Sequence, residues 1–192
     1  MKDGDRMYMQ ERRTLRQNKM IHALISDIVK HTYNDFEATK PRSFSNDCQV
    51  VKETLKVAYA VEANLPGDFS TAKLSKIQAR DFISSIIEFC FQFDIPLSSP
   101  GLQMTDDINR YLFLCIKYRK CAVTGHRGEI HHVDAIGQGR DRRNYDHSKS
   151  RLICLSREMH TEAHQIGWLT FISKYHVDGI ILSPDAVKEL NI

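Results

Sequence analysis

The sequence predicts an α+β protein in two parts. A mostly helical N-terminal domain covers residues 1–100, and a smaller mixed unit over residues 101–192 runs strand, long loop, strand, helix. Three observations predict this. Apolar residues recur at helical spacing through most of the first 95 positions. "PLSSPG" (Pro96–Gly101) is the clearest linker signal in the chain. Beyond it, two short β-like runs, "GEIHHV" and "RLICL", flank the aperiodic polar stretch "AIGQGRDRRNYDHSKS". The boundary itself is placed between Ser98 and Lys117.

Each element follows from its pattern. "RTLRQNKMIHALISDIVKHTY" carries Leu15, Ile21, Leu24, Ile25 and Ile28 at helical spacing, with Arg and Lys on the other face. "FSNDCQVVKETLKVAYAVEA" is a second helix, starting at Ser45 or Asn46, and "NLPGDFSTAKLS" is loop or short strand. "KIQARDFISSIIEFCFQFDI" is the strongest helix and ends before Pro96. "MTDDINRYLFLCIKYRK" is a helix leading out of the linker. After the two β-like runs, Ser156 caps a helix through "REMHTEAHQI" that Gly167 stops. "WLTFISKYH" reads as helix and "VDGIIL" as a strand. "SPDAVKEL" is a final helix with Ser183 as cap and Pro184 at its first position.

Composition bounds the function. With 42% hydrophobic and 27% charged residues and no biased tract, the chain resembles ordinary soluble globular proteins. No apolar run approaches the ~20 residues of a membrane span. "MKDGDRMYMQERR" has no signal-peptide core, so a cytoplasmic location and no membrane partner are expected. Five irregularly spaced cysteines argue for reduced thiols. The net charge of +3 does not by itself establish a nucleic-acid partner. Its distribution says more. From Lys117 to Arg151 there are nine Lys/Arg against four Asp/Glu, with Arg140, Arg142 and Arg143 packed just after the glycines. A second cluster, Arg12, Arg13, Arg16 and Lys19, lies near the start of the chain. A charge run is often only a solvated face; two of them, one beside paired histidines, point to phosphate.

The histidines carry the chemistry. His160 and His164, four apart on a helix, share one face and can grip one divalent metal, although surface pairs at this spacing also occur without one. His131 and His132 are adjacent in a strand and point to opposite faces. They can therefore divide two tasks, one ring ligating the metal and the other facing substrate.

"EIHH" followed by "HTEAH" resembles the HNH, or ββα-metal, endonucleases, and closely resembles the active site of the nuclease colicins. The resemblance covers roughly Lys117–Gly167. "GQGRDRRNYDHSKSRLICL" and "FISKYHVDGIIL" also resemble phage HNH nucleases. It implies that residues 101–192 are a ββα-metal nuclease domain. His131, His160 and His164 would hold a divalent metal (Mg, Mn or Zn), with His132 as general base and Glu129 supporting the geometry near the base. Arg140, Arg142, Arg143 and Lys149 would hold the DNA backbone. Relatives with a structural zinc knuckle use two Cys pairs; here Cys121 remains, with Thr124, Ser156 and Met159 at the other places, so no structural zinc is expected. Arg151 falls where the family's central asparagine is expected. Asn144 and His147 both stand as candidates for its orienting role, and Asp134 as a metal ligand in place of a histidine.

In the N-terminal part, "QERRTLRQNKMIHALISDI" and "SKIQARDFISSIIEFCFQFDIPLS" resemble the lambda Orf (NinB) family of phage recombination mediators. That likeness implies DNA binding by Arg13, Arg16 and Lys19. The other reading of this half is a plain helical packing domain.

Together these imply a phage-type metal-dependent endonuclease acting in DNA recombination or processing. The metal would stabilise the leaving group while His132, with a reference pKa near 6.5, activates water. Its substrate would be single-stranded, duplex or branched DNA in the host cytoplasm. A homodimer and a single-strand-binding protein or recombinase stay open as partners. Two other classes also stay open: a non-catalytic single-stranded-DNA-binding mediator with a decayed site, and a structural metal-binding module.

Overall fold

The computed structural model describes residues 11–33, 43–66, 68–134 and 145–192. The chain forms two compact units, 1–86 and 87–192. They divide inside the third helix, and the Pro96–Gly101 stretch lies wholly within the second unit.

In the first unit, α1 (Leu15–Tyr33) and α2 (Phe44–Glu62) pack together. A reciprocal capping box starts α1. Gln17 N–H donates to Thr14 Oγ1 (3.1 Å), and Thr14 N–H donates to Gln17 Oε1 (2.9 Å). The expected apolar stripe is buried at Ile21, Leu24, Ile25 and Ile28, but Leu15 in the exposed first turn is 82% accessible. The helix α2 starts earlier than expected, at Phe44 after Ser43, and buries Leu55, Tyr59 and Ala60. "NLPGDFSTAKLS" is irregular apart from a 3-10 turn at Thr71–Lys73. An isolated bridge pairs Arg12 with Ser75. There a second capping box, Ser75 with Gln78, opens α3 (Lys76–Gln92). Phe82 of α3 packs against Tyr59 and Phe69, with ring centroids at 5.0 and 6.1 Å.

The second unit begins with the last turns of α3. Asp94 takes the left-handed conformation, and Ile95 N–H bonds Cys90 O, ending the helix before Pro96 as expected. Glu88, which interrupts the apolar run, receives Lys117 Nζ (2.7 Å), Arg110 Nη2 (2.8 Å) and Tyr118 OH (3.1 Å). It ties α3 to α4 (Ile108–Lys117). This helix starts four residues later than the pattern suggests, because Asp107 accepts from Arg110 N–H and caps it there.

A tight turn over Cys121–Gly125 leads to β1 (Glu129–His132), antiparallel to β2 (Leu152–Leu155), with Glu129 opposite Leu155 and His132 opposite Leu152. All four β2 residues are buried. Ser156 caps α5 (Arg157–Ile166) by accepting from Met159 N–H, and Gly167, at φ 79°, turns the chain into α6 (Trp168–Tyr175). Ser183 caps α7 (Pro184–Glu189), with Pro184 in its first turn.

The expected strand "VDGIIL" is corrected. Only Ile180 pairs, with Leu152, through one isolated bridge. The preceding residues are occupied differently: Gly179 N–H donates to Asp178's own side chain (2.7 Å). Gly179 also sits so close to β2 that a Cβ would fall 2.8 Å from Val133 Cγ2 and 3.0 Å from Arg151 Cβ.

Candidate active site

Strand alternation sorts the β1 side chains. His131 and Glu129 take one face, His132 and Ile130 the other. His131 is 7% exposed and faces α5, where His160 and His164 stand one turn apart. One ligand nitrogen from each of the three imidazoles can be chosen so that all lie within 4.8 Å of one another, the one such group among the described residues. The His131 ring is edge-on to both helical rings, at 4.6 Å from His160 and 5.2 Å from His164.

Burial pushes the His131 pKa down to about 4, and the neighbouring His160, His164 and His132 push the same way. His160 is also lowered, first by burial and then by His164, with Glu129 opposing. Both effects favour neutral rings with lone pairs available, the form a metal needs. Three convergent imidazoles fit a divalent transition ion and leave coordination positions for water or phosphate, the arrangement of a reactive rather than a closed site.

The other candidate residues are placed as follows. Glu129 lies on the His131 face of β1, where its charge acts on His160, and not on the face of His132. Asp134 is not part of the ligand group. Arg151 takes its carboxylate by the backbone N–H (2.8 Å) and Nη2 (2.7 Å), holding it below the usual range. His147, on the 3-10 turn His147–Lys149, meets the other histidine: His132 Nε2 lies 2.7 Å from His147 Nδ1. Lys149 is exposed and ion-paired with Asp146 at 2.9 Å. Arg140, Arg142, Arg143 and Asn144 lie outside the described residues. In the first unit Arg16 and Lys19 are exposed, while Arg13 is half-buried with its guanidinium on Asn18 Oδ1. Of the knuckle positions, Ser156 serves as the α5 cap and the Cys121 thiol accepts Thr124 N–H at 3.4 Å.

Two participants have no local sequence signal. Tyr145 lies against both His132 and His147, with ring centroids at 6.1 and 5.4 Å. Trp168, the first residue of α6, lies tilted against His131, at 5.5 Å and 31°.

Residues 6–191 match the family model described as "Putative HNHc nuclease". The chain belongs to the HNHc nuclease family. The match runs through the N-terminal helices as well as the histidine site. No curated protein and no solved structure matches the chain. Membership in a nuclease family implies DNA as the substrate of this HNHc protein.

Proposed function

We propose that this HNHc nuclease is a metal-dependent DNA endonuclease of phage type, acting in DNA recombination or processing. The observation that carries the reading is the trio of imidazoles, His131, His160 and His164, converging beside a fourth, His132, that leaves the same strand from its other face.

The trio would hold a divalent ion, Mg, Mn or Zn. When bound, the ion supplies charge stabilisation to the scissile phosphate and the leaving 3′ oxygen. His132 takes the proton of the attacking water. Its Nε2 lies 2.7 Å from His147 Nδ1. In the tautomer that carries its proton on Nε2 and donates it to His147 Nδ1, the atom that accepts the water's proton is His132 Nδ1. The water oxygen then attacks phosphorus, the P–O3′ bond breaks, and the products are a 5′-phosphate and a 3′-hydroxyl protonated from solvent. The His132 imidazolium keeps its hydrogen bond to His147 throughout, so the acceptor both orients the base and steadies its charged form. Lys149 and the arginines at 140, 142 and 143 would hold the DNA backbone through phosphate contacts, which give affinity without sequence readout. Glu129 acts from the metal side, biasing His160.

A plasmid-nicking assay with Mg²⁺, Mn²⁺ or EDTA tests the reading. Divalent-dependent nicking, lost in His132→Ala with the fold intact, is expected. Equal cutting by that variant removes His132 as the base, and cutting in EDTA removes the metal.

A further inference from the structure

Trp168 is the chain's single tryptophan, and nothing in the proposed chemistry above uses it. It is nonetheless held by ring contacts and a hydrogen bond. One side of the indole faces His131 at 5.5 Å and 31°. It also stacks on the fully buried Phe171, with centroids at 5.2 Å and planes at 15°. Its Nε1–H donates to Asp178 Oδ1 at 3.0 Å. That carboxylate is itself fixed: Oδ1 also accepts Gly179 N–H at 2.7 Å, and Oδ2 takes Arg151 Nη1 at 2.7 Å. Arg151 then spans to Asp134, just past the end of β1, through Nη2 (2.7 Å) and its backbone N–H (2.8 Å). Val133 N–H donates to Arg151 O at 2.9 Å.

We propose that Trp168, Asp178 and Arg151 are positioning residues for the metal centre, forming a relay that holds the His131 ring in its ligating orientation. The proposal rests on the reading of the three histidines as metal ligands.

His131 comes from a strand and its two partners from a helix, so the site depends on one ring being aimed across an inter-element gap. Among the described residues the His131 ring makes no side-chain hydrogen bond that would set its χ2 angle, so the rings packed against it, Trp168 among them, set it. An indole can do so only if its own rotation is blocked, and the Nε1–H bond to an anchored carboxylate blocks it. The relay closes back on β1 through Arg151 and Asp134, so the strand bearing His131 and the ring facing it are referenced to one ionic cross-link. Residues supporting metal ligands in this way typically change metal affinity 10–100-fold when removed.

Co²⁺ titration of the full chain tests this, read by the cobalt visible bands and, in variants that keep it, by quenching of Trp168 fluorescence. Trp168→Phe keeps an aromatic plane and the packing on Phe171 but loses the anchor; Asp178→Asn removes the charge that holds Arg151. Both are expected to weaken Co²⁺ binding ~10-fold or more and to alter the cobalt bands. The double variant should lose no more than the worse single one, because both cut the same relay. Thermal unfolding of the metal-free proteins separates positioning from packing. Wild-type cobalt affinity and spectrum in both single variants, whatever their melting temperatures, overturn the relay alone. Absence of Co²⁺ binding by wild type overturns the metal reading and the relay with it. Should Asp178→Asn fail to fold, Trp168→Phe and Arg151→Lys decide by the same readout.

Discussion

His132 Nε2 lies 2.7 Å from His147 Nδ1, joining the end of β1 to a turn that Asp146 caps by accepting Ser148 N–H. The contact makes His147 the candidate for the orienting role among the described residues, while Asn144, the other candidate, lies outside them. In the proposed reaction, with the proton on His132 Nε2, it leaves Nδ1 to accept the water's proton.

The first prediction follows from that arrangement. His132→Ala should lower single-turnover cleavage ~10²–10⁴-fold, the usual contribution of a general base. His147→Ala should cost a smaller part of it, with DNA affinity unchanged in EDTA. His147→Asn, which can still present an acceptor, should recover some of the loss. If His147→Ala cuts at the wild-type rate, the tautomer argument is wrong even though His132 stays the base.

A second prediction concerns the ligands. His160→Ala and His164→Ala should each abolish stoichiometric metal uptake at micromolar protein while DNA binding in EDTA survives, because neither ring is assigned to phosphate. Isothermal titration with Mn²⁺ and elemental analysis of the purified chain check this. Retention of one tightly held zinc by the double variant would place a metal at Cys121 instead.

The third prediction is about Glu88 and acid stability. Burial favours its neutral form, but the hydrogen bond and charge of Lys117, the Tyr118 hydroxyl and Arg110 outweigh that and hold its pKa below the ordinary value. A depressed carboxylate stabilises the fold above its unfolded pKa, and the contribution disappears as pH falls through the folded one. Glu88→Gln should therefore cost about 1–2 kcal/mol at neutral pH, discounted for the partly exposed partners. The deficit should shrink below about pH 4. Urea unfolding at pH 7 and pH 3.5 measures it; a pH-independent difference would mean that Glu88 acts through packing.

What was legible in the sequence was local. The four-residue spacing of His160 and His164 and the alternation of His131 and His132 are rules of backbone geometry, so the shared face of one pair and the opposite faces of the other follow from short segments, while the division into ligand and base comes from the resemblance alone. The caps at Ser156 and Ser183 are equally local, and so are the Thr14–Gln17 and Ser75–Gln78 boxes, which follow from the Ser/Thr-x-x-Gln spacing. The relay was not legible, because Arg151 meets Asp134 and Asp178 across 17 and 27 residues. No periodicity encodes such a pairing. "VDGIIL" misled for a related reason: its apolar content suits a strand, but the Asp178 side chain takes the next backbone N–H and leaves one bridge. Glu129 was assigned by likeness to the base, when strand alternation alone puts it on the face of His131.

The last prediction concerns the N-terminal cations. Arg16 and Lys19 are exposed on α1, while Arg13 is half-buried and spends its guanidinium on Asn18. If this helix contacts DNA, each phosphate it neutralises releases counterions. Replacing the residue should then flatten the dependence of log affinity on log salt by ~0.7 per contact on single strands. Arg16→Ala with Lys19→Ala in the full chain should reduce the slope by ~1.4, and adding Arg13→Ala should change it by less than a full further contact, since its side chain must first leave Asn18. Fluorescence anisotropy with a labelled oligonucleotide in EDTA, at several salt concentrations, gives the slope without cleavage. A packing role makes the opposite demand: both surface residues could be removed with no change in slope, and all salt dependence would belong to Lys149 and the arginines at 140, 142 and 143. An unchanged slope in a folded double variant would therefore remove DNA binding from α1 and leave it to the histidine-bearing unit.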